Sequence, residues 1–423
     1  MPFERISVVG LGYIGLPTAA VFASRNRKVI GVDVSSHVVE TINAGGTHFV
    51  EPDLDALVHR VVKDGFFHAT LTPEEADAFV VAVPTPFRDA TVSQVPEPDL
   101  SYIEAVSRMI APVLRPGNLV VLESTSPVGA TEQMAAWFAE ERPDLTFPQT
   151  HGEASDIRIA HCPERVLPGQ VLRELVENDR VIGGMTPLCS TRAVELYRQF
   201  VKGECFVTDC RTAEMTKLTE NSFRDVNIAF ANELSLICDR LGIDVWELIR
   251  MANRHPRVNI LQPGPGVGGH CIAVDPWFIV SAAPEQARLI RQAREVNDSK
   301  PRWVLSRVDA EIEAWIAENP GLKPTVACFG LAFKPNIDDL RESPALGIAR
   351  ALAEKVRDRL MVVEPHIAKL PEGLGEATLV SQQDAFAKAD ICVLLVDHDA
   401  FKFGGTPDRG RVRIVDTRGI WKA

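Results

Sequence analysis

The chain has 423 residues, of which 46% are hydrophobic and 24% charged, and its formal net charge is −12 with a pI near 5.4. This composition is typical of a globular protein, and the length predicts two or three domains because single cores rarely exceed about 250–300 residues. The acidic balance argues against nucleic acid or an anionic membrane as the main partner, since both attract basic surfaces.

Targeting and disulfide signals are absent from the sequence pattern. No stretch approaches the ~20 apolar residues of a membrane span, and the first residues lead directly into a strand pattern rather than a signal peptide. We therefore expect a cytoplasmic protein. The eight cysteines are scattered without a Cys-x-x-Cys pair, so neither a disulfide framework nor a metal site is predicted.

A glycine-rich turn follows the first strand-like run, Arg5–Val9, and precedes an apolar helix. Such a turn suits a dinucleotide, because it brings the pyrophosphate to the backbone and to the N-terminus of the helix. Asp33 ends the second strand-like run, 18 residues after Gly15. A carboxylate there accepts from a ribose 2′-OH and repels a 2′-phosphate, which favours NAD over NADP. The candidate cofactor residues of the turn are Gly10, Gly12, Tyr13, Ile14 and Gly15.

Strand-like and helical runs then alternate, which predicts a parallel, doubly wound sheet. Further strands are expected near 78–85, 118–125 and 158–162. Thr85 and Thr125 fall at the carboxyl ends of two of them, where such sheets bind ligands. Their hydroxyls suit cofactor ribose or phosphate, and turn capping is the alternative.

Two shaped loops carry reactive side chains. The loop 257–276 contains Gly264, Gly266, Gly268 and Gly269 and leads to Cys271, with Asp275 four residues further on. Cys271 is the candidate nucleophile, although a small buried cysteine is an equally ordinary interpretation. The loop 162–170 carries Glu164 and Arg165, for which a surface ion pair is the alternative.

A stretch from Thr212 to Asn253 has apolar residues at helical spacing, with no Pro and no Gly before Gly242, and predicts one long helix that links domains. Lys217, Asn221 and Arg224 lie at i, i+4 and i+7 and share a face, which is either solvated or part of a site. Near a thiol, Lys217 could stabilise the thiolate and an oxyanion. A further helix is expected at 286–298, and the helical region is expected to continue over 303–317.

A second strand and helix unit begins at Thr325 and lacks the three-glycine turn. It supplies Lys334 and Arg341, which are cation types that bind phosphates. Strands are expected near 360–364, 391–397 and 412–416, and Arg418 follows the last one. The predicted fold class is α/β, with two Rossmann-like doubly wound domains joined by a long central helix. The predicted domains are 1–208 for NAD, 209–318 for linkage and dimerisation with the cysteine loop, and 319–423 for a nucleotide sugar.

These motifs together resemble the nucleotide-sugar 6-dehydrogenases of the UDP-glucose and GDP-mannose dehydrogenase group, over essentially the whole chain. The motifs that carry the resemblance are Gly-Leu-Gly-Tyr-Ile-Gly-Leu-Pro, Glu-Ser-Thr-Ser-Pro-Val-Gly, Cys-Pro-Glu-Arg-Val-Leu-Pro-Gly, Gly-Val-Gly-Gly-His-Cys and Phe-Gly-Leu-Ala-Phe-Lys-Pro-Asn-Ile-Asp-Asp-Leu-Arg-Glu-Ser. The resemblance implies two hydride transfers, two NAD per substrate and a thiohemiacetal and thioester on Cys271. It also implies a homodimer or higher assembly paired through the central helix.

The resemblance assigns site roles residue by residue. Lys217 is implied as general acid/base with Asn221 beside it, and Glu164 and Asp275 as groups that position or activate water. Arg341 is implied at a phosphate of substrate or cofactor. The implied nucleotide-sugar site consists of Arg165, Val166, Lys217, Asn221, Arg224, His255, Arg257, Gly268, Lys334 and Arg418.

The expected substrate is UDP-N-acetyl-D-mannosamine, because the stretches 221–227 and 253–266 look like the branch of the family that oxidises it for bacterial surface polysaccharide, as in enterobacterial common antigen. The same chemistry on UDP-N-acetylglucosamine, UDP-glucose or GDP-mannose is an alternative, since one inverted substituent changes binding by only a few kcal/mol. A one-step β-hydroxyacid dehydrogenase would leave Cys271 without a role. A non-catalytic NAD-binding protein would leave Lys217 and Glu164 unexplained.

Overall fold

A computed structural model describes residues 3–88, 95–167, 169–269 and 271–421. Pro168 and His270, which belong to two of the sequence motifs, lie outside the described residues. The chain divides into two compact units, 1–220 and 221–423. No helix among the described residues is long and apolar enough to cross a membrane.

The first unit is built on an eight-stranded sheet in the order β3-β2-β1-β4-β5-β6-β7-β8. Its strands are β1 (Arg5–Val9), β2 (Lys28–Val32), β3 (Phe67–Thr70), β4 (Ala78–Val81), β5 (Leu119–Leu122), β6 (Arg158–His161), β7 (Arg180–Gly184) and β8 (Cys205–Asp209). Its helices are α1 (Gly15–Ala23), α2 (Ser36–Asn43), α3 (Leu54–Lys63), α4 (Ser101–Ile110), α5 (Ala130–Glu141), α6 (Pro148–His151), α7 (Val171–Glu177) and α8 (Pro187–Tyr197).

Both faces of this sheet are covered, as expected for a doubly wound fold. Successive residues of a strand point to opposite faces, so Val80 of β4 packs in one apolar cluster and its neighbours Phe79 and Val81 pack in the other. The expectation of an all-parallel sheet was wrong at one place. Strand β7 runs antiparallel to β6, whereas β8 runs parallel to β7.

The central helix α9 (Cys210–Leu241) spans the boundary between the units. The prediction of one helix to Asn253 was wrong, because Gly242 has a φ of +68° and ends α9. A separate helix, α10 (Val245–Ala252), begins after Asp244, whose side chain caps it. The helical region predicted over 286–298 and 303–317 is a single helix, which continues through Pro301.

The second unit carries a five-stranded parallel sheet in the order β11-β10-β9-β12-β13. The helices before the sheet are α11 (Asp275–Ala282) and α12 (Arg288–Glu318). The sheet and its helices are β9 (Val326–Phe329), α13 (Pro344–Val356), β10 (Leu360–Val363), β11 (Thr378–Leu379), α14 (Gln382–Lys388), β12 (Ile391–Leu394), α15 (Asp399–Phe403) and β13 (Arg413–Asp416). Alternate residues of β9 and β12 again enter two separate apolar clusters, so the predicted second doubly wound sheet is present.

Candidate functional site

The glycine-rich turn of the first unit uses its three glycines differently. Gly10 has a φ of +91°, and a Cβ there would lie 2.5 Å from the Ala82 carbonyl oxygen. A Cβ on Gly15 would lie 1.8 Å from the Gly10 carbonyl oxygen. No atom lies within 4 Å of a Cβ built on Gly12. Packing of the protein therefore requires Gly10 and Gly15, whereas Gly12 borders open space beside the N-terminus of α1.

The side chains around that space fit a dinucleotide. Asp33 accepts hydrogen bonds from Leu11 N (3.0 Å) and Ser35 N (2.9 Å), which fixes its carboxylate against the turn. Thr85 Oγ1 is buried and has no hydrogen-bond partner among the described residues. A buried hydroxyl without a partner is costly, and a cofactor ribose or phosphate would supply the missing one. Asp33 and Thr85 therefore follow the carboxyl ends of β2 and β4, the edge of a parallel sheet at which ligands bind.

The other predicted cofactor residues vary in exposure. Tyr13 is 45% exposed and its ring centroid lies 4.3 Å from that of Phe49. Ile14 precedes the first residue of α1. Thr125 is half-buried after β5.

Glu164 belongs to a buried cluster of charged groups in the first unit. Its Oε2 lies 2.5 Å from Arg180 Nη1, and its Oε1 accepts from Arg165 N at 2.6 Å. Glu123 lies 3.7 Å from the same guanidinium and accepts from Tyr197 OH. Burial, followed by the charge of Glu164, raises the pKa of Glu123 to about 7 although Arg180 opposes this shift. Arg180 and Glu123 had not been assigned a role from the sequence.

The beginning of α9 is fixed to the first unit by Glu214. This buried carboxylate accepts from Gly129 N (2.7 Å), Thr131 N (2.8 Å) and Thr131 Oγ1 (2.6 Å), and so satisfies amides at the start of α5. Lys217 lies three residues further along α9 and is half-buried. Glu214 thus sets the position of the helical turn that presents Lys217.

Arg165 and Val166 are not free side chains in this unit. Arg165 pairs with Glu220 at 2.7 Å. Val166 packs against the apolar core.

In the second unit, Cys271 is exposed and lies directly before α11. Its carbonyl oxygen accepts from Val274 N (3.1 Å) and Asp275 N (2.9 Å), and these hydrogen bonds close a turn that begins at Cys271. Asp275 is buried, and its Oδ2 accepts from Asn221 Nδ2 at 2.5 Å. The structure therefore brings Asn221 next to Asp275, 54 residues away in sequence, and Asp275 next to Cys271.

The glycine run before Cys271 interlocks with the loop that follows β9. A Cβ on Gly268 would lie 2.5 Å from the Glu342 carbonyl oxygen and 2.8 Å from Phe333 Cβ. Gly269 N donates to the Arg341 carbonyl oxygen at 3.3 Å. Only a residue without a side chain permits this approach. The cysteine loop and the Lys334 loop, defined here as residues 331–341, are consequently held against each other.

A buried polar network fixes the same loop to α9 and α12. Asn232 Oδ1 accepts from Gly264 N at 2.9 Å, and Asn232 Nδ2 donates to Asn297 Oδ1 at 2.8 Å. Asn297 and Arg294 both donate to Asp225 Oδ1, at 2.8 and 2.6 Å. Burial raises the pKa of Asp225 in spite of the Arg294 guanidinium. No local pattern in the sequence indicates this network.

The predicted phosphate-binding cations differ in how they are held. Arg418 pairs with Asp397 at 2.6 Å, and Arg341 pairs with Asp339 at 2.6 Å. Lys334 is exposed and forms no ion pair with a described residue. Lys334 is thus the cation of this group available to an anionic ligand. The remaining predicted residues are exposed, namely Arg224, His255 and Arg257.

Models of one protein family match the chain in three consecutive segments. The chain matches the NAD binding domain of the UDP-glucose/GDP-mannose dehydrogenase family over residues 4–201, its central domain over 211–299 and its UDP binding domain over 327–423. The chain therefore belongs to the UDP-glucose/GDP-mannose dehydrogenase family, and it is an oxidoreductase with an NAD-binding domain.

Individual relatives carry two different names. The chain is 63% identical over 425 residues to UDP-N-acetyl-D-mannosamine dehydrogenase of Yersinia pestis, with 100% of each chain covered. It is 64% identical to NDP-N-acetyl-D-galactosaminuronic acid dehydrogenase of Ralstonia nicotianae, with 100% of this chain and 97% of the relative covered. The structure of UDP-D-ManNAc dehydrogenase from Pyrococcus horikoshii superimposes with a TM-score of 0.83 at 39% identity, covering 99% of this chain and 96% of that one.

Proposed function

We propose that this enzyme oxidises C6 of UDP-N-acetyl-D-mannosamine to the uronate in two steps, with Cys271 as the covalent nucleophile. The observation that carries the proposal is the exposed thiol of Cys271, on a loop interlocked with the Lys334 loop of the UDP-binding domain. Whole-chain identity to relatives named for this substrate supports the choice of sugar. The second name among the relatives makes an NDP-N-acetylgalactosamine-type sugar the alternative.

When bound, NAD⁺ would supply the hydride acceptor for each of the two oxidations, so that two NAD⁺ would be reduced per substrate. In the first oxidation the C6 hydroxyl gives up its proton to a base, for which we propose Lys217. The Cys271 thiolate then adds to the aldehyde carbon, and the resulting alkoxide takes up a proton to form a thiohemiacetal. Loss of that proton and of the second hydride gives a thioester. Water cleaves the C–S bond to give the carboxylate and regenerate the thiol.

Asn221 and Asp275 are proposed to act next to the thiol. Their 2.5 Å contact and the closed turn from Cys271 to Asp275 support Asp275 as the carboxylate that orients the hydrolytic water. Both side-chain oxygens of Glu164 are already held, one by Arg180 and one by a backbone N–H. This arrangement supports a positioning role for Glu164 rather than water activation. Lys217 and Asn221 lie one helical turn apart on α9, as oxyanion donors would.

The test is the NADH yield from limiting nucleotide sugar. Two NADH per UDP-N-acetyl-D-mannosamine are expected from the wild type, and at most one from Cys271→Ala. Cys205→Ala is the matched control, because Cys205 is partly exposed but lies in the edge strand β8. One NADH from the wild type would refute the thioester route. If the enzyme prefers UDP-N-acetylgalactosamine, UDP-N-acetylglucosamine or UDP-glucose, the substrate assignment is wrong. The proposed two-step oxidation would not be affected by that result.

A homodimer and a cytoplasmic location are also proposed. Helix α9 exposes an apolar stripe at seven-residue spacing, with Phe223 68%, Phe230 54% and Ile237 45% exposed. Such a stripe is typical of a helix that pairs with a second copy. No two cysteines among the described residues form a disulfide, as is usual in the reducing cytosol. Sedimentation of Phe230→Glu as a monomer, against a wild-type dimer, would support the pairing; a fully active wild-type monomer would disprove it.

A further inference from the structure

The second unit repeats the strand-end geometry of the first with a different acid. Gly330 has a φ of +90° and its N–H donates to the Val363 carbonyl at 2.8 Å, as Gly10 N donates to Val32 at 2.8 Å. Glu364 follows β10 as Asp33 follows β2. Glu364 Oε2 accepts from Leu331 N at 2.7 Å, and its Oε1 accepts from His366 N at 3.1 Å. The same two backbone positions bind the acid in both units.

The two units differ at the fourth residue after the next strand of the sheet, which is β4 in the first unit and β12 in the second. In the first unit this residue is Thr85, whose hydroxyl lacks a described partner. In the second unit it is His398, which is fully buried. His398 Nε2 lies 3.1 Å from Glu364 Oε2, and Ala332 N donates to the same oxygen at 3.2 Å. Glu364 therefore has a side-chain partner, His398, whereas Asp33 accepts only from two backbone N–H groups among the described hydrogen bonds.

The ring of His398 has a fixed proton arrangement. Asn336 N–H can only donate, so Nδ1, 2.9 Å away, is the acceptor. The ring proton consequently lies on Nε2 and is donated to Glu364. Burial alone would raise the pKa of Glu364, but the hydrogen bonds from His398 and Leu331 N hold it below its usual range.

This pair anchors the Lys334 loop on both sides of Lys334. Glu364 binds the loop at Leu331 and Ala332, and His398 binds it at Asn336. Asn336 has a φ of +62°, a conformation that needs support in a residue other than glycine. Its side chain is additionally paired with Asp399, by Nδ2 to Oδ2 at 2.8 Å and by Asp399 N to Oδ1 at 2.9 Å.

We infer that His398 and Glu364 are positioning residues that hold the Lys334 loop so that the ammonium of Lys334 meets the diphosphate of the nucleotide sugar. The inference rests on the proposed nucleotide role of Lys334. His398 does not touch the substrate in this scheme; it acts through Asn336 N–H. The two anchor points next to Lys334, at Ala332 and Asn336, each lie two residues from it. Loss of either anchor releases the ammonium from its place.

Two substitutions separate the two hydrogen bonds of the ring. Asparagine at 398 places an oxygen near the position of Nδ1 and retains the acceptor for Asn336, but it does not reach Glu364. Glutamine places its amide near Nε2 and retains the donor to Glu364, but it leaves Asn336 N–H without an acceptor. Both side chains are polar and smaller than or similar to imidazole, so they form a matched pair.

The measurement is the Kd of UDP by calorimetry, in the wild-type background and in Lys334→Met. We expect Lys334→Met to weaken UDP about 10- to 30-fold and His398→Gln to weaken it about 5- to 10-fold, with His398→Asn within about 3-fold of wild type. In the Lys334→Met background, His398→Gln should have no further effect, because interacting residues are non-additive. The KM for NAD should not change in any of these variants.

The outcomes distinguish failure of the nucleotide role of Lys334 from failure of the positioning role of His398 and Glu364. If Lys334→Met leaves the UDP affinity unchanged, the nucleotide role of Lys334 fails, and the positioning role falls with it. If Lys334→Met weakens UDP but His398→Gln does not, or weakens it equally in both backgrounds, only the positioning role is overturned. Amide hydrogen exchange of the segment 331–340 should accelerate in His398→Gln and not in His398→Asn. Equal exchange in both variants would overturn the anchoring through Asn336 even if UDP binding were lost by general destabilisation.

Discussion

Gly12→Ala tests the cofactor site most directly, because the first unit has no structural need for a glycine there. A Cβ at Gly12 meets no atom within 4 Å, whereas Cβ atoms at Gly10 and Gly15 would approach carbonyl oxygens to 2.5 and 1.8 Å. The φ of Gly12 also lies outside the left-handed region. Alanine is therefore compatible with the free protein, and its methyl group projects into the space proposed for the pyrophosphate.

The expected magnitudes differ sharply between folding and binding. Without a clash, the free energy of unfolding of the cofactor-free protein should change by no more than about 0.5 kcal/mol. A methyl group forced against a bound pyrophosphate costs about 1.5–3 kcal/mol, as overpacking does elsewhere. That cost corresponds to about 10- to 150-fold weaker binding. Gly15→Ala should instead prevent folding of the turn, since its Cβ would lie 1.8 Å from the Gly10 carbonyl oxygen.

The assay is the Kd of NADH by fluorescence, together with thermal unfolding in the absence of cofactor. Gly46→Ala is the matched control, because its Cβ would make only an ordinary 3.5 Å contact with the Thr41 carbonyl oxygen. Wild-type affinity in Gly12→Ala would refute the proposed approach of the cofactor to this backbone. Lower stability of cofactor-free Gly12→Ala would show that the space is filled by the protein itself.

Three further predictions concern the second unit. Gly268→Ala should lower the free energy of unfolding by about 1–3 kcal/mol in chemical denaturation and reduce turnover. The control is Gly347→Ala in α13, whose Cβ meets nothing within 4 Å and which should raise the free energy of unfolding by about 0.5–1 kcal/mol. Equal effects of the two substitutions would contradict the interlocking of the loops. Burial lowers the pKa of Lys300 to about 7 in the folded protein, whereas an unfolded lysine keeps its proton to about pH 10.4. Between these pH values the unfolded state binds more protons than the folded state. The free energy of unfolding should therefore rise with pH from 7 towards 10. Lys300→Met should thus be more stable than wild type by a few kcal/mol at pH 6, with a gain that shrinks as pH rises, and a constant difference in melting temperature would refute this. Asn221→Leu should leave the buried carboxylate of Asp275 without its amide donor and lower kcat by about 10- to 100-fold, with wild-type kcat as the contrary result.

Local patterns were sufficient to predict most of the elements. The first strand, the turn, α1 and the acid at Asp33 depend on neighbours within one strand–turn–helix unit, so their spacing is visible in sequence. Strand β8 was missed because it is an edge strand whose residues Phe206 and Val207 are exposed, and an edge strand lacks a buried apolar pattern. The break at Gly242 was missed because the apolar spacing of α9 resumes in α10.

The supporting residues of the site could not be predicted for a different reason. Arg180 meets Glu164 from 16 residues away, His398 meets Glu364 from 34 and Arg294 meets Asp225 from 69. No spacing rule connects residues at such separations, since the contact depends on which strands and helices become neighbours. A lone histidine or arginine in sequence carries no sign of its partner. The predictions for Cys271 and Lys334 rest on the unusual residue composition of their loops, which is visible in the sequence alone.

The number of acceptor sites on the two strand-end acids explains how one scaffold serves two kinds of ligand. A carboxylate offers about four lone-pair sites. Glu364 uses four donors of its own unit, namely Leu331 N, Ala332 N, His366 N and His398 Nε2. Asp33 uses two among the described residues, Leu11 N and Ser35 N. Asp33 therefore retains capacity for the hydroxyls of a ribose, while Glu364 is saturated. A saturated acid cannot accept from a ribose, which agrees with our proposal that the second unit binds its nucleotide through cations such as Lys334, while Glu364 supports the Lys334 loop.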